Sequence, residues 1–319
     1  MTVSDGTIVG WFTPSGSPED RRFIVWFNGS VEGSSSLAPM TSISVYGAGP
    51  KGLAVGMMQS GVEPPYPVMW QDGAYLDLPD EIVAGHGLIA GPNQFGVFTG
   101  YRFPSGEEAK DGRPFLWTPG GVIVTLPIPP GMLAAEGDAI NAAGHVGGRA
   151  YLPPIDQSAL GPWRPYFWNG HAAIELPMLP GATKATVFAL NDVDQLVGNC
   201  TLPRNPSGAT IWINDLPYSL HELASLPTSF QVTIASGINE SGQVVANGSF
   251  NAAGTGVFTP VGVVPADVTL DCKVNERDIE KVIQSWGPVD SAVVRRADID
   301  GNGVIDGFDL AEVLGAWTG

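Results

Sequence analysis

Charge, cysteine and histidine are all scarce in this chain of 319 residues, and each scarcity closes off a class of function. Charged side chains make up 15%, with 15 basic against 32 acidic residues, and the formal net charge is −17. A field of that sign repels phosphate backbones and anionic lipid surfaces, so nucleic acid is not an expected partner. No apolar run approaches the length of a membrane-spanning helix, so no span is expected. The two cysteines, Cys200 and Cys272, are too few for a disulfide framework and read as free thiols. The four histidines, His86, His145, His171 and His221, share no metal-ligand spacing, and no H-E-x-x-H, G-x-S-x-G or P-loop occurs. Polysaccharide cleavage needs two facing carboxylates. Asp5, Asp72, Asp192, Asp215 and Glu240 fall in repeat turns instead, and Glu107, Glu108 and Asp111 in a polar loop. No catalytic residue is assigned. The opening M-T-V-S-D-G also lacks the charged and apolar regions of a secretory signal.

Glycine (42) and proline (28) are abundant, without a collagen period, in a chain that is 44% hydrophobic. That mixture suits an all-β protein with many turns. Residues 1–264 repeat. One anchor, N-x-x-G followed by a small or β-branched run, begins at Asn93, Asn141, Asn191 and Asn239, with looser copies at Val3 and Gly49. Asn caps such a turn and Gly tolerates its exit geometry. A second anchor, an apolar pair ending in an aromatic before a tight turn, recurs at Trp26, Trp70, Trp117, Trp168, Trp212 and Phe258. In-phase tryptophans are expected to pack between units. Short strands fill the intervals, about four per unit of about 46 residues. The expectation is a six-bladed β-propeller. Trp163, out of phase in G-P-W-R-P beside Tyr166, is the candidate ligand-binding aromatic, with a glycan as its possible ligand.

The C-terminal residues 265–319 read as a separate module, a small α-helical domain. A twelve-residue acidic pattern occurs twice, D-V-T-L-D-C-K-V-N-E-R-D from Asp267 and D-I-D-G-N-G-V-I-D-G-F-D from Asp298. Each places oxygen side chains at loop positions 1, 3, 5, 9 and 12, the spacing that wraps a hard cation. An apolar stripe follows each loop: Ile279, Val282, Ile283 and Trp286, then Leu310, Val313, Leu314 and Trp317. The first loop departs from the pattern with Cys272 where a turn glycine is expected and neutral Thr269 at position 3, so its site should be the weaker.

Loops with no preceding helix, closed by Asp and repeated 31 residues apart, resemble a type I dockerin, and the ending L-G-A-W-T-G resembles planctomycete-like secreted proteins. The resemblance implies two Ca²⁺ sites. The second is Asp298, Asp300, Asn302, the Val304 carbonyl, Asp306 and Asp309; the first is Asp267, Thr269, Asp271, the Lys273 carbonyl, Asn275 and Asp278. It also implies a cohesin-like or envelope partner bound through positions 10 and 11, here Glu276 and Arg277, then Gly307 and Phe308, with Phe308 the main anchor. The upstream units, notably Ile238 to Ala246 and Phe115 to Trp117, resemble the extracellular repeat family HAF, which implies secretion and no catalytic residues. The first unit lacks its leading strand, as if the true N-terminus and its signal were lost. The expected function is a secreted, non-catalytic binding protein attached through its calcium-dependent tail, within a polysaccharide-degradation system. The alternatives are a polysaccharide-degrading glycoside hydrolase or lyase, and a structural envelope protein.

Overall fold

A computed structural model describes residues 8–12, 22–27, 30–33, 40–60, 64–72, 74–83, 87–104, 111–154, 161–203, 205–227, 229–250, 252–260, 264–269, 273–289, 297–300 and 302–318. The repeat region is a series of antiparallel sheets in chain order. The first holds β1 (Ile8–Phe12), β2 (Arg22–Phe27) and β3 (Ser30–Gly33). The second holds β4 (Met40–Gly49), β5 (Leu53–Ser60), β6 (Tyr66–Gln71) and β7 (Ala74–Leu76), followed by α1 (Asp80–Val83). The third holds β8 (Leu88–Ala90), β9 (Phe98–Arg102), β10 (Arg113–Trp117) and β11 (Val124–Thr125). The fourth holds β12 (Ala134–Ile140), β13 (Val146–Tyr151), β14 (Trp163–Trp168) and β15 (Ala173–Glu175). Next come β16 (Lys184–Leu190), β17 (Leu196–Leu202), β18 (Asn205–Ile213) and β19 (Leu216–Ser219), then α2 (Leu220–Leu223), and last β20 (Gln231–Ile238), β21 (Val244–Phe250) and β22 (Ala252–Phe258).

The architecture is a β-propeller of five blades, not the six that the sequence period suggests. Among the described residues four sheets have four strands, and the first and last sheets of the repeat region have three each. By contact the chain divides into two compact units, 1–175 with 183–189, and 176–182 with 190–319.

The repeat chemistry is visible in the turns. Asn141 Oδ1 accepts from His145 N at 2.9 Å, Asn191 Oδ1 from Gln195 N at 2.9 Å and Asn239 Oδ1 from Gln243 N at 2.9 Å. Two of the anchor asparagines also link neighbouring repeats: Asn93 Nδ2 donates to the Asn141 carbonyl and Asn191 Nδ2 to the Asn239 carbonyl, each 48 residues on. A β-bulge recurs three residues before an anchor, skipping Tyr46 in β4, Asp138 in β12 and Ser236 in β20. Such a bulge re-aims the side chain at the skipped position.

Trp70, Trp117, Trp168 and Trp212 are buried as expected. Two of them meet the indole's need for an acceptor identically, Trp168 Nε1 with the Pro127 carbonyl and Trp212 Nε1 with the Pro177 carbonyl. Trp26 departs from the expectation: it lies in a three-stranded sheet and is exposed. Cys200 is a free, buried thiol; Cys272 lies outside the described residues. Among the described residues no helix is long and apolar enough to cross a membrane.

The C-terminal region carries α3 (Glu276–Gln284), a short ribbon of β23 (Gly287–Pro288) with β24 (Val304–Ile305), and α4 (Gly307–Gly315). Its core is Ala266, Val268, Val274, Val282, Ala297, Ile305 and Val313. Only the inner half of each helical stripe enters it. Ile283, Trp286, Leu314 and Trp317 remain exposed, while Val282 and Val313 are fully buried.

Candidate metal centre

Both helices begin at loop position 10, inside the twelve-residue pattern and before the apolar stripe that follows it. The reason is capping. Asn275 and Asp306, at position 9, are N-caps, accepting from Arg277 N at 3.0 Å and Phe308 N at 2.8 Å. Each cap is reciprocated by the aspartate at position 12, which makes a capping box.

Those two aspartates are fully buried and hold the loops closed from inside. Asp309 Oδ1 accepts from Ile299 N at 2.7 Å and Asp300 N at 3.3 Å, and its Oδ2 from Asp306 N at 2.8 Å. Asp278 does the same in the first copy, with Oδ1 accepting from Thr269 N at 2.9 Å and Oδ2 from Asn275 N at 2.9 Å. The two copies differ at position 3. Thr269 Oγ1 donates to Asp278 Oδ1 at 3.0 Å, so the hydroxyl sits against the carboxylate it would share a cation with. Asp300 instead brings a second negative charge.

The consequence is a carboxylate cluster in the second loop. Asp298, Asp300 and Asp309 present oxygens that all lie within 4.8 Å of one another. Asp298 Oδ2 accepts from Gly303 N at 3.0 Å and Asn302 Oδ1 from Val304 N at 2.8 Å, but Asp298 Oδ1 is buried with no hydrogen-bond partner. A buried orphan carboxylate oxygen among like charges is costly without a cation. Gly303 at loop position 6 has φ +86°, a conformation that favours glycine. An all-oxygen set of this kind fits a hard divalent ion such as Ca²⁺. Asp298, Asp300, Asn302, the Val304 carbonyl, Asp306 and Asp309 would hold it, and the ion would neutralise the repulsion that otherwise opens the loop. In the first copy Asp267, Thr269, Asn275 and Asp278 are buried and Lys273 is exposed; Asp271 lies outside the described residues.

Residues 265–315 match the dockerin type I domain. That assigns the tail, and a dockerin is a calcium-dependent attachment module. No curated protein matches the chain. The propeller is similar to the β-propeller domain of the Trilobed protease from Pyrococcus furiosus, at 9% identity and a TM-score of 0.50, over 81% of this chain and 76% of that one. It is also similar to an acylaminoacyl peptidase from Pyrococcus horikoshii, at 9% identity and a TM-score of 0.51, over 81% of this chain but 43% of that one. At such identity only the fold is shared.

Beside the dockerin's loops stand the candidate partner residues. Glu276, Arg277, Gly307 and Phe308 are all exposed, and Phe308 shows 72% of its surface. Trp163, read from the sequence as part of a loop, opens β14 and is half-buried. Pairing with Tyr151 draws it into the sheet, Lys184 Nζ lies 4.0 Å over its ring, and its Nε1 donates to Thr186 Oγ1 at 3.0 Å.

A second polar cluster escaped sequence reasoning. Glu136 in β12 accepts from Arg149 Nε at 2.7 Å and from Tyr151 OH at 2.9 Å. Asp138, at the bulge two residues on, keeps a buried Oδ2 without a partner. Burial pushes its carboxyl up to about 7, opposed by Arg149 and reinforced by Glu136. A cross-strand carboxylate–guanidinium pair has no local sequence signature, which is why it was missed.

Proposed function

We propose that the protein is a secreted, non-catalytic binding and display protein, whose propeller of HAF-like repeats presents a surface and whose dockerin fastens it to a cohesin-like or envelope partner within a polysaccharide-degradation system. The observation that supports this best is the second calcium loop, where three converging carboxylates and the unpartnered Asp298 Oδ1 stand directly before the exposed Phe308. Calcium at Asp298, Asp300, Asn302, Val304, Asp306 and Asp309 would order that loop, and with it the start of α4 that carries Gly307 and Phe308. The first site, Asp267, Thr269, Asp271, Lys273, Asn275 and Asp278, is the weaker of the two in this reading, because a hydroxyl replaces a charged ligand. Trp163 remains the candidate glycan contact on the propeller, approached at its ring edge rather than at the face under Lys184. The test is binding of an immobilised type I cohesin to the full chain, in millimolar calcium and then in chelator. Binding abolished by chelator supports the attachment role; binding that persists refutes it.

The rival reading, a polysaccharide-degrading hydrolase or lyase, is favoured by one observation: Glu136 and Asp138 lie two residues apart with unlike environments, one ion-paired and one pushed toward neutrality. Reducing-sugar release from a polysaccharide panel, abolished in Asp138→Asn, would support it. Absence of release across the panel supports the binding role.

A further inference from the structure

The first calcium loop is hydrogen-bonded to propeller turns of its own compact unit, through contacts that cation binding does not itself require. Gln195 Nε2 donates to the Thr269 carbonyl at 3.1 Å in a buried bond spanning 74 residues. Arg277 Nη1 reaches the Asn214 carbonyl at 3.4 Å on the surface. Asn214 and Asp215 form the left-handed turn between β18 and β19, with φ +53° and +63°. The Asp215 carboxyl is pushed up by burial and by Asp194, and Arg277 opposes that shift.

The repeat itself orients the key donor. Asn191 Nδ2 donates to Gln195 Oε1 at 2.8 Å, which leaves Nε2 turned toward Thr269. One repeat later Asn239 Nδ2 fixes Gln243 Oε1 in the same way at 2.8 Å, but there Nε2 meets the Thr259 hydroxyl at 3.3 Å on the exposed surface. The same oriented amide therefore recurs, and at Gln195 it is captured by position 3 of a calcium loop. Thr269 also binds the buried Asp278 through both its N–H and its hydroxyl, so a pull on its carbonyl is transmitted to the loop's closing aspartate.

We infer that the first dockerin copy is turned inward onto its own propeller, with Gln195 holding Thr269 and Arg277 engaging the Asn214–Asp215 turn, so that the propeller sets the calcium affinity of the first loop and an outside protein is left the second copy. Gln195 is then a positioning residue that touches no metal. Arg277, at one of the two partner-facing positions of the first copy, is committed within the chain, whereas Phe308, its counterpart in the second, is 72% exposed. The inference rests on both loops being calcium sites.

Calorimetric titration of the full chain with calcium tests it. Two sites are expected in the unaltered chain. Gln195→Leu should weaken one of them about threefold to tenfold, the range of one lost hydrogen bond, and leave the other unchanged. Gln243→Leu should change neither. Two unaltered affinities in Gln195→Leu overturn the inference, as does a single site in the unaltered chain. No calcium binding at all overturns the calcium reading beneath it as well. If Gln195→Leu fails to fold, amide exchange on the unaltered protein decides: calcium should slow exchange across residues 191–196 of the propeller, and equal rates with and without calcium contradict the coupling.

Discussion

The two loops of the dockerin are close relatives in sequence and different objects in space. In the second, position 3 is Asp300, whose charge joins Asp298 and Asp309 in a cluster with an unsatisfied oxygen. In the first, position 3 is Thr269, whose hydroxyl is spent on Asp278 and whose carbonyl is held by Gln195. One side chain thus separates a loop with an unpaired carboxylate oxygen from one whose position-3 hydroxyl already donates to the closing aspartate. A duplicated motif can keep its frame, the buried position-12 aspartate and the position-9 cap, while its copies diverge in charge and in what they face.

The strongest way to break this comparison is to remove the shared frame. Asp309→Ala and Asp278→Ala each delete a buried carboxylate with several backbone donors, and each should cost about 2–4 kcal/mol of tail stability. Urea unfolding followed by helix circular dichroism measures both. Both losses are read in calcium, the condition in which the metal orders the module. Next in size is the partner face. Phe308→Ala should weaken cohesin binding about thirtyfold or more, and Arg277→Ala about twofold at most, measured by biolayer interferometry in calcium. Equal losses would mean that both copies face outward. Converting one loop toward the other sharpens the contrast: Thr269→Asp should tighten the first calcium site several-fold by adding a charged ligand, read by calorimetry. A modest effect belongs to Gly303→Ala. Nothing crowds its added methyl, so only the left-handed φ resists it, a cost of about 1 kcal/mol that weakens the second site alone.

The legible parts of the sequence were those with short-range chemistry. The N-x-x-G turns, the in-phase tryptophans and the twelve-residue oxygen spacing each depend on neighbours a few residues away, and Asn191 and Trp212 sit as their motifs require. What was not legible depended on distant partners. The blade count differs at the chain's two end sheets, where the period continues but each sheet has three strands among the described residues. Trp26 keeps the motif and is exposed. The helices start inside the loops because position 9 caps them. Arg149 with Glu136, and Gln195 with Thr269, are contacts that no spacing rule encodes.

The central claim is that divalent metal in the acidic loops orders the C-terminal module. Amide hydrogen exchange over residues 276–284 and 307–315 of the full chain, with calcium and then with chelator, tests it most directly. The account predicts slow exchange in calcium and rapid exchange after chelation in both helices, greatest in α4. Protection that is the same in the two conditions would contradict it.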